Sequence, residues 1–521
     1  MFTSTRRRFL SQVGRGMMVA SLGSALATDM GLAPALAGEE ENGLTFGPLE
    51  SLVDLLQGTP VDKLLPLVVE KLKAGTTLKE FTAAAALANA RAFGGEDYIG
   101  FHTLMALGPA LAMSAEMSGP TAALPVLKVL YRNTGRLQDV GGAKAENLKP
   151  VLIAGSAFPS GANAAEAIRA AVHAGDRAQA EQLLGTAVAE SPDRGFNDLL
   201  PTVDESTDVH RVVLIHRAWD MLSIVGQEHA FSMLRQSLNY CLKNEPHAVK
   251  YASPVRAMLP KLMDQFHLET AQWGTKQPDD KWVDEFVHML FTSTPQQAAE
   301  AVAAAIVEGI SPPAIFEAIS LTANQLVLRD AGRTAKQVQP GKAEGSVHGD
   351  SIGVHASDSA NAWRNIALAA NLRNKNAALV LAGYQVALDR TERGGDFQNW
   401  LPRPLSEHLE AVDKDSSKCH RLGELIAAIE ASDQTKACAV VAKYGAEGHA
   451  AGNIFHILRG FAISQDGALH AEKYYRTVQG DFKLTRESLR WRHLIGLARV
   501  TASEFGREAP GYKEASDLLT T

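Results

Sequence analysis

The sequence contains little cysteine, and this excludes several kinds of protein. The 521-residue chain has three cysteines, Cys241, Cys419 and Cys438. An odd number of cysteines cannot form a complete disulfide framework, and a chain of this length does not need one to fold. No CxxC pair and no Cys–His zinc pattern is present, so the usual attachment site for c-type haem is excluded. Whether Cys419 and Cys438 pair stays open, because their separation along the chain says nothing about geometry.

Aromatic residues, strand patterns and long apolar runs are also scarce. Aromatic residues make up 6% of the chain and alternating β-branched runs are rare, which argues against β-structure. After residue 37 no apolar run approaches the roughly 18 residues that a membrane-spanning helix needs. The formal net charge is −7, and an acidic chain argues against nucleic acid as a partner, because phosphate binding requires a positive field. The motifs of zincins, GxSxG hydrolases and phosphate-binding loops are absent.

The N-terminus carries the most specific pattern in the chain. Residues 5–10 read TRRRFL, a mostly uncharged stretch follows, and residues 35–37 read ALA. This resembles a twin-arginine export signal with a small-x-small cleavage site. The alternative, a membrane anchor, would place Arg15 and Asp29 in the bilayer, at about 2.5–3.5 kcal/mol each near its centre. We therefore predict a signal peptide over residues 1–37, recognised by the twin-arginine export machinery, and a periplasmic or secreted location.

Helical periodicity dominates the remainder, residues 38–521. Alanine-rich segments place apolar residues at i, i+3, i+4 and i+7, and most breaks between them are short and contain Gly, Pro, Asn or Asp. The pattern predicts one large all-α domain of consecutive helical hairpins, packed as an α/α assembly of toroid or solenoid-like form. The predicted helices are 50–73, 78–93, 121–132, 164–173, 177–189, 210–225, 228–243, 254–267, 280–291, 295–308, 313–328, 359–373, 375–389, 419–431, 435–444, 448–463, 468–477 and 485–503.

Four of the hairpins open with a histidine near the start of the first helix: His102, His210, His355 and His449. Their irregular spacing excludes a short solenoid repeat of about 34 or 40 residues. The irregular spacing is compatible with four hairpins that each form one quarter of a single α/α assembly. In such an assembly the four histidines would lie on a shared face. The loop at 339–357, which has four glycines and two histidines, is predicted to lie over the mouth of that cavity, because long loops in compact domains are often functional.

Histidine is the residue type that can carry chemistry in this chain. The dipole at a helix N-terminus keeps an imidazole neutral, and a neutral ring is what a metal ligand or a general base requires. For any single histidine, the alternative is a hydrogen-bonded residue between packed helices or a surface residue. Asp358 is a candidate helix cap for a helix starting near Ser359. The predicted metal ligands, with iron or copper as candidate metals, are His102, His210, His355, His449 and His456. The predicted catalytic residues are His216, Asp350 and His355.

Four segments carry a resemblance to known proteins. They are residues 100–104 (GFHTL), 224–230 (IVGQEHA), 470–477 (HAEKYYRT) and 490–494 (RWRHL). With the export signal, they resemble an uncharacterised group of exported bacterial helical proteins. More remotely, the hairpins opened by histidine are similar to the questin oxidase-like family. That resemblance implies an all-α fold and activity of the Baeyer–Villiger oxygenase type.

These observations lead to a first hypothesis and two alternatives. The first is an exported helical enzyme with a histidine-lined pocket, a metal-assisted oxidoreductase or oxygenase that acts on a small molecule. The second is a helical-repeat binding or scaffold protein of the periplasm, which needs no titratable cluster. The third is an α/α-toroid enzyme acting on carbohydrate, which would need paired carboxylates in a cleft.

Overall fold

A computed structural model describes residues 43–153, 163–392, 395–412, 414 and 417–521. Within these ranges the chain forms 23 α-helices and no β-strand, and 73% of the described residues are helical. This confirms the predicted all-α fold. The predicted signal peptide at 1–37 lies outside the described residues. None of the described helices combines the length and the apolar character that crossing a membrane would require.

Most consecutive helices are joined by short connections, as the sequence predicts. The helices are α1 Glu50–Gly58, α2 Val61–Lys73, α3 Leu78–Phe93, α4 Tyr98–Ala115, α5 Leu124–Asp139, α6 Ala164–His173, α7 Arg177–Glu190, α8 Pro192–Val203, α9 Val209–Val225, α10 Ala230–Tyr251, α11 Ser253–Gln265, α12 Asp280–Thr292, α13 Pro295–Val307, α14 Pro312–Arg329, α15 Ile352–Ala369, α16 Leu372–Glu392, α17 Ser406–Glu410, α18 Lys418–Glu430, α19 Gln434–Ala446, α20 Ala451–Ser464, α21 His470–Leu484, α22 Trp491–Glu504 and α23 Tyr512–Thr520.

Local capping explains why many boundaries were predictable. Helix α3 begins at the predicted residue because Thr77 accepts a hydrogen bond from the backbone N–H of Glu80, while the Glu80 carboxylate accepts one from the N–H of Thr77. This capping box satisfies N–H groups that the first turn leaves unpaired. The helix ends at Phe93, and the next residue, Gly94, has a φ of +56°, a left-handed conformation that glycine adopts readily.

Other elements differ from the prediction. The predicted helix 50–73 is two helices, because Pro60 ends the helical run and leads into α2. Three helices were not predicted, α8, α17 and α23, and α4 was predicted only by the histidine near its start, without bounds. Helix α4 is largely buried along its length and apolar on nearly all sides, so it lacks the amphipathic stripe on which sequence recognition depends.

The described chain forms two compact units. The first comprises Met1–Gly108, described from residue 43, with Leu130–Val203 and Arg217–Pro246; the second comprises Pro109–Val129, Asp204–His216 and His247–Thr521. The prediction of a single domain over 38–521 stays a prediction.

The first unit is organised around the buried helix α3. The Asn89 amide donates to the carbonyl of Gly100, to Oγ1 of Thr103 and to Oδ1 of Asn133, each at 2.8 Å. All of these atoms belong to buried groups, so this polar network fixes how α3, α4 and α5 pack.

The second unit is organised around helix α15, which is buried over most of its length. It packs against α14 and α16, and against α21, which comes more than a hundred residues later in the chain. Helix α21 in turn packs against α22. This arrangement brings the N-termini of α15 and α21 together, and it is there that histidines meet.

Gly353 allows α15 to approach the backbone of α14 closely. A Cβ atom at this position would lie 2.5 Å from the backbone nitrogen of Val327. We expect Gly353→Ala to lower the free energy of unfolding by about 1–3 kcal/mol, because the backbone of α14 must shift. Gly423→Ala is the matched control: its Cβ would meet nothing within 4 Å in helix α18, so stability should rise by about 0.5–1 kcal/mol. Urea unfolding measures both, and equal stability of the two variants would contradict this packing.

Candidate functional site

Helix α15 starts earlier than its sequence predicts. Its N-cap is Ser351, whose hydroxyl accepts a hydrogen bond from the N–H of Val354 at 3.4 Å. The predicted start near Ser359, with Asp358 as the cap, is wrong. Asp358 instead lies buried within the helix and accepts a hydrogen bond from Thr477 at 2.8 Å. The small and polar residues of this first turn resemble a loop in sequence, but they permit close helix packing.

The early start of α15 places His355 in its first turns. Its backbone N–H donates to the carbonyl of Ser351 at 3.1 Å, and the residue is 8% exposed. His470 is the first residue of α21, immediately after Leu469, which has a φ of +67°, and it is 5% exposed. The Nε2 atoms of His355 and His470 lie 3.4 Å apart. Two helices therefore direct imidazole nitrogens at one another in the interior of the second unit.

His210 extends this pair. It is the second residue of α9, and its ring centroid lies 5.9 Å from that of His355, nearly edge-on. Asp208 precedes the helix; its Oδ1 accepts from the backbone N–H of His210 at 3.4 Å and lies 3.5 Å from Nδ1. We call His210, His355 and His470 the histidine cluster.

The geometry of the cluster suits two ligands of one ion. Imidazole nitrogens that bind an ion tetrahedrally at 2.0–2.1 Å lie about 3.3–3.4 Å apart, and the His355–His470 distance agrees with this spacing. The nitrogens of all three rings do not lie within 4.8 Å of one another, so His210 as placed is not a third ligand. The pair therefore offers two protein ligands and leaves other coordination positions open. Without an ion, the same two nitrogens can share a proton.

A buried carboxyl group lies close behind His470. The N–H of Gly349 donates to Oε1 of Glu504 at 2.9 Å, and a Cβ at Gly349 would lie only 2.4 Å from the Cβ of His470. Burial raises the pKa of Glu504 to about 7; the Gly349 N–H and Lys128 oppose the rise, and nearby Glu472 adds to it. Glu504 can therefore take up or release a proton near neutral pH.

Lys128 and Glu472 complete the polar interior. The Lys128 Nζ lies 2.6 Å from Oε1 of Glu472, and their side chains are 1% and 0% exposed. Lys128 also donates to the carbonyls of Ala462 and Gln465 at 2.7 and 2.8 Å. Two hydrogen bonds and the ion pair thus link Lys128 on α5 to the end of α20 and to the start of α21, from which His470 projects.

Asp350, a predicted catalytic residue, binds the surrounding loop. Its Oδ2 accepts from Arg333 at 2.5 Å and from Lys342 at 2.6 Å. Burial alone would raise its pKa, but these hydrogen bonds prevail and hold the pKa at about 2. Asp350 is thus ionised at neutral pH, and these contacts join distant parts of the loop.

The remaining predicted residues have other surroundings. His102 belongs to the first unit; it is buried, and its Nδ1 lies 2.7 Å from the carbonyl oxygen of Tyr98. His216 lies buried in α9 within the second unit. His449 precedes α20; its ring centroid is 4.7 Å from that of Tyr444, and its Nε2 is 3.6 Å from Glu447. His456 is exposed, with its Nδ1 3.3 Å from Arg459.

Of the predicted metal ligands, His210 and His355 thus lie close together in the structure. His470, which was not predicted to be a site residue, lies beside His355. It also starts a helix, and this position is the one local signal that could have identified it. Cys241, Cys419 and Cys438 are all free thiols, which answers the open question of whether the latter two pair.

Comparison with known proteins adds no relative. No protein family matches the chain, and neither the search of curated proteins nor that of solved structures finds a significant match. The site must therefore be interpreted from its own geometry.

Proposed function

We propose that this protein is a metal-dependent enzyme whose active site is the histidine cluster, with His355 and His470 holding a transition-metal ion. The single observation that carries the proposal is the 3.4 Å spacing of their Nε2 atoms. A buried pair of imidazoles on separate helices, directed at each other, is costly unless it shares a proton or an ion. Imidazole is a good ligand for iron, copper and zinc, and iron and copper remain the candidate metals.

The residues around the pair fit a catalytic role. A two-histidine site leaves coordination positions for water or substrate, and a bound metal would supply Lewis-acid or redox chemistry there. His210, next to His355, can donate a hydrogen bond to a group bound at the ion. Glu504, which has a pKa of about 7, can exchange a proton on the side of His470.

The proposed reaction class and the proposed location both rest on the sequence. The questin oxidase-like resemblance favours an oxidoreductase or oxygenase acting on a small molecule, and the twin-arginine pattern favours a periplasmic or secreted location. Export through that route carries a folded chain, which is compatible with a metal acquired before export.

Metal content tests the proposal. We expect protein purified from the periplasm to contain close to one transition-metal ion per chain. His355→Ala and His470→Ala should each weaken metal binding at least about tenfold, since each removes one of two protein ligands. His456→Ala is the control, because this exposed ring lies on α20 beside Arg459. Metal analysis of the purified variants gives the result; an unchanged metal content in both cluster variants would refute the site.

A specific observation favours the second candidate, a helical binding protein. An apolar cavity of about 100 Å³ in the second unit is rimmed by Leu368 and Leu484, which are 65% and 59% exposed. Exposed apolar rims of this kind are typical of surfaces that receive a partner's side chain. A metal content far below one ion per chain would make this candidate the better one.

A further inference from the structure

The long segment 330–351, which joins α14 to α15, has an exposed part and a buried part. We call this segment the strap; its one regular element is the short 3₁₀ turn Ala335–Gln337. Residues 334–345 are mostly exposed and form the outer part, whereas residues 346–349 are buried and form the inner part. Long connections of this kind are uncommon in compact domains and are often functional. The question is what the inner part covers.

The inner part of the strap lies directly against the histidine cluster. A Cβ atom at Gly349 would lie 2.4 Å from the Cβ of His470 and 3.2 Å from its Cγ, so no side chain fits between the strap and this ring. The N–H of Gly349 donates to Glu504 at 2.9 Å, which fixes the contact. His355 and His470 are only 8% and 5% exposed. On the side of Gly349, solvent reaches His470 only if the strap moves.

Both ends of the strap are firmly held. Where the strap leaves α14, the guanidinium of Arg499 donates to the carbonyls of Val327 and Leu328 at 2.6 and 3.1 Å. It also donates to the carbonyl of Asp330 at 2.6 Å, and Arg499 is 3% exposed. At the other end, Ser351 caps helix α15. The ends therefore stay in place while the segment between them moves.

The contacts that hold the inner part are few and mostly polar. Gln434 accepts from the N–H of Val347 at 3.1 Å, and the hydroxyl of Ser503 donates to the Val347 carbonyl at 2.6 Å. Val347 is the one buried apolar side chain of the strap, all of which the structure describes. Segments with few buried apolar contacts open at a lower free energy than the core does. A cavity of about 220 Å³ also lies between strap residues and the Phe397 and Trp400 rings, which leaves space for a shift.

Asp350 joins the inner part of the strap to the rest of it. Its Oδ2 accepts from Arg333 at 2.5 Å and from Lys342 at 2.6 Å, and the three side chains are 29%, 16% and 20% exposed. Both partners precede the inner part in the chain, and Asp350 directly follows it. Charge-assisted hydrogen bonds are about twice as strong as neutral ones. These two bonds are therefore the strongest side-chain contacts that close the strap on itself.

We propose that the strap is a movable cover of the His355–His470 pair and that the hydrogen bonds of Asp350 hold it closed. When it opens, Gly349 leaves His470, and ions and small molecules gain a path to the pair. As a route for metal or substrate, the cover rests on the proposed function, whereas its closure over His470 is testable without any metal.

Reaction with diethyl pyrocarbonate, which acylates neutral imidazole nitrogens that reach solvent, tests the closure. The full mature chain is freed of metal with a chelator, and mass spectrometry of its peptides gives a rate for each histidine. We expect Asp350→Asn to raise the rate at His470 at least about tenfold, because it removes the charge from two hydrogen bonds. Glu344→Gln is the matched control: it removes one negative charge from the exposed outer part and should change nothing. Exposed His456 should react equally fast in every variant.

A second variant acts on the cover through a different contact. Gly349→Ala places a methyl group against His470 and should push the inner part away, which raises the rate at His470 as Asp350→Asn does. Gly423→Ala, whose Cβ meets nothing within 4 Å, is its control. His493 is 2% exposed in α22 and reports unfolding of the whole unit, so it should stay unreactive. An unchanged rate at His470 in both variants, or His493 reacting in parallel with His470 in both, would overturn the proposal.

The uptake of Cu²⁺, followed by absorbance, separates this proposal from that of the metal site. If the pair binds copper, Asp350→Asn should speed uptake at least about tenfold and Glu344→Gln should not. Equal uptake rates in the two variants would refute the cover and leave the metal site standing. If no copper binds at the pair, the metal site fails, and a faster reaction of His470 in Asp350→Asn still supports the cover.

Discussion

Replacing Lys128 by methionine is expected to lower the free energy of unfolding by about 3–5 kcal/mol, because it leaves a buried carboxylate without its counter-charge. Glu472 is 0% exposed and lies 2.6 Å from the Lys128 ammonium. The same substitution removes the donors to the carbonyls of Ala462 and Gln465. Methionine has nearly the same length, so the loss reports charge and hydrogen bonding more than packing.

Two further variants separate these contributions. Lys128→Met combined with Glu472→Gln should recover part of the loss, because no uncompensated charge remains. Lys281→Met is the matched control: Lys281 pairs with Glu285 on an exposed helix face, with side chains 80% and 68% exposed, and such pairs contribute less than about 0.5 kcal/mol. If urea unfolding places Lys128→Met within about 1 kcal/mol of the wild type, the buried ion pair is not formed as described.

Replacing Glu504 by glutamine is expected to stabilise the protein by up to about 3 kcal/mol at pH 8 and to change little at pH 5. Burial raises the pKa of Glu504 in the folded chain to about 7, above its ordinary value of 4.5. The folded state therefore binds this proton more tightly than the unfolded state does. The contribution of the carboxyl is fully present below about pH 4.5 and is lost as the pH rises toward 7. Glutamine keeps an acceptor for the Gly349 N–H but cannot ionise.

Urea unfolding of wild type and Glu504→Gln at pH 5, 6, 7 and 8 measures this effect. The groups that act on Glu504 are Lys128, which opposes the pKa shift, and Glu472 and Asp350, which increase it. Glu487→Gln is the control, because its carboxylate is 86% exposed, and its stability difference from wild type should vary little with pH. A stability difference for Glu504→Gln that stays constant across this range would mean that the carboxyl does not titrate there.

The sequence predicts helices well where a local signal ends them. Capping residues such as Thr77 and Asn163 and the glycine after α3 mark boundaries that depend on neighbours only a few residues away. The start of α15 was misplaced because Gly353 and the polar residues after it favour a loop locally. They are helical because the surrounding helices α14, α16 and α21 bury them, and that burial is a long-range effect.

The candidate site could be predicted only in part, because local signals identify some of its residues but not the packing that brings them together. His210 and His355 stood out because each begins a helix in a chain with few other chemical signals. Their pairing with His470 depends on the packing of α15 against α21, helices that are separated by more than a hundred residues, and no local pattern encodes it. His449 fits the same sequence pattern, but its ring lies against Tyr444; His456, within the same predicted helix, lies beside Arg459. A histidine at a helix start is thus a useful but incomplete signal.

The measurement that tests the central proposal most directly is anomalous diffraction from crystals of the purified protein, recorded at the absorption edges of iron, copper and zinc. The proposal predicts one anomalous peak in the second unit, about 2.0–2.3 Å from both Nε2 of His355 and Nε2 of His470. It also predicts that the peak disappears in His470→Ala and persists in His456→Ala. An ion bound elsewhere, or two imidazoles joined by a hydrogen bond in crystals supplied with each metal, would contradict it.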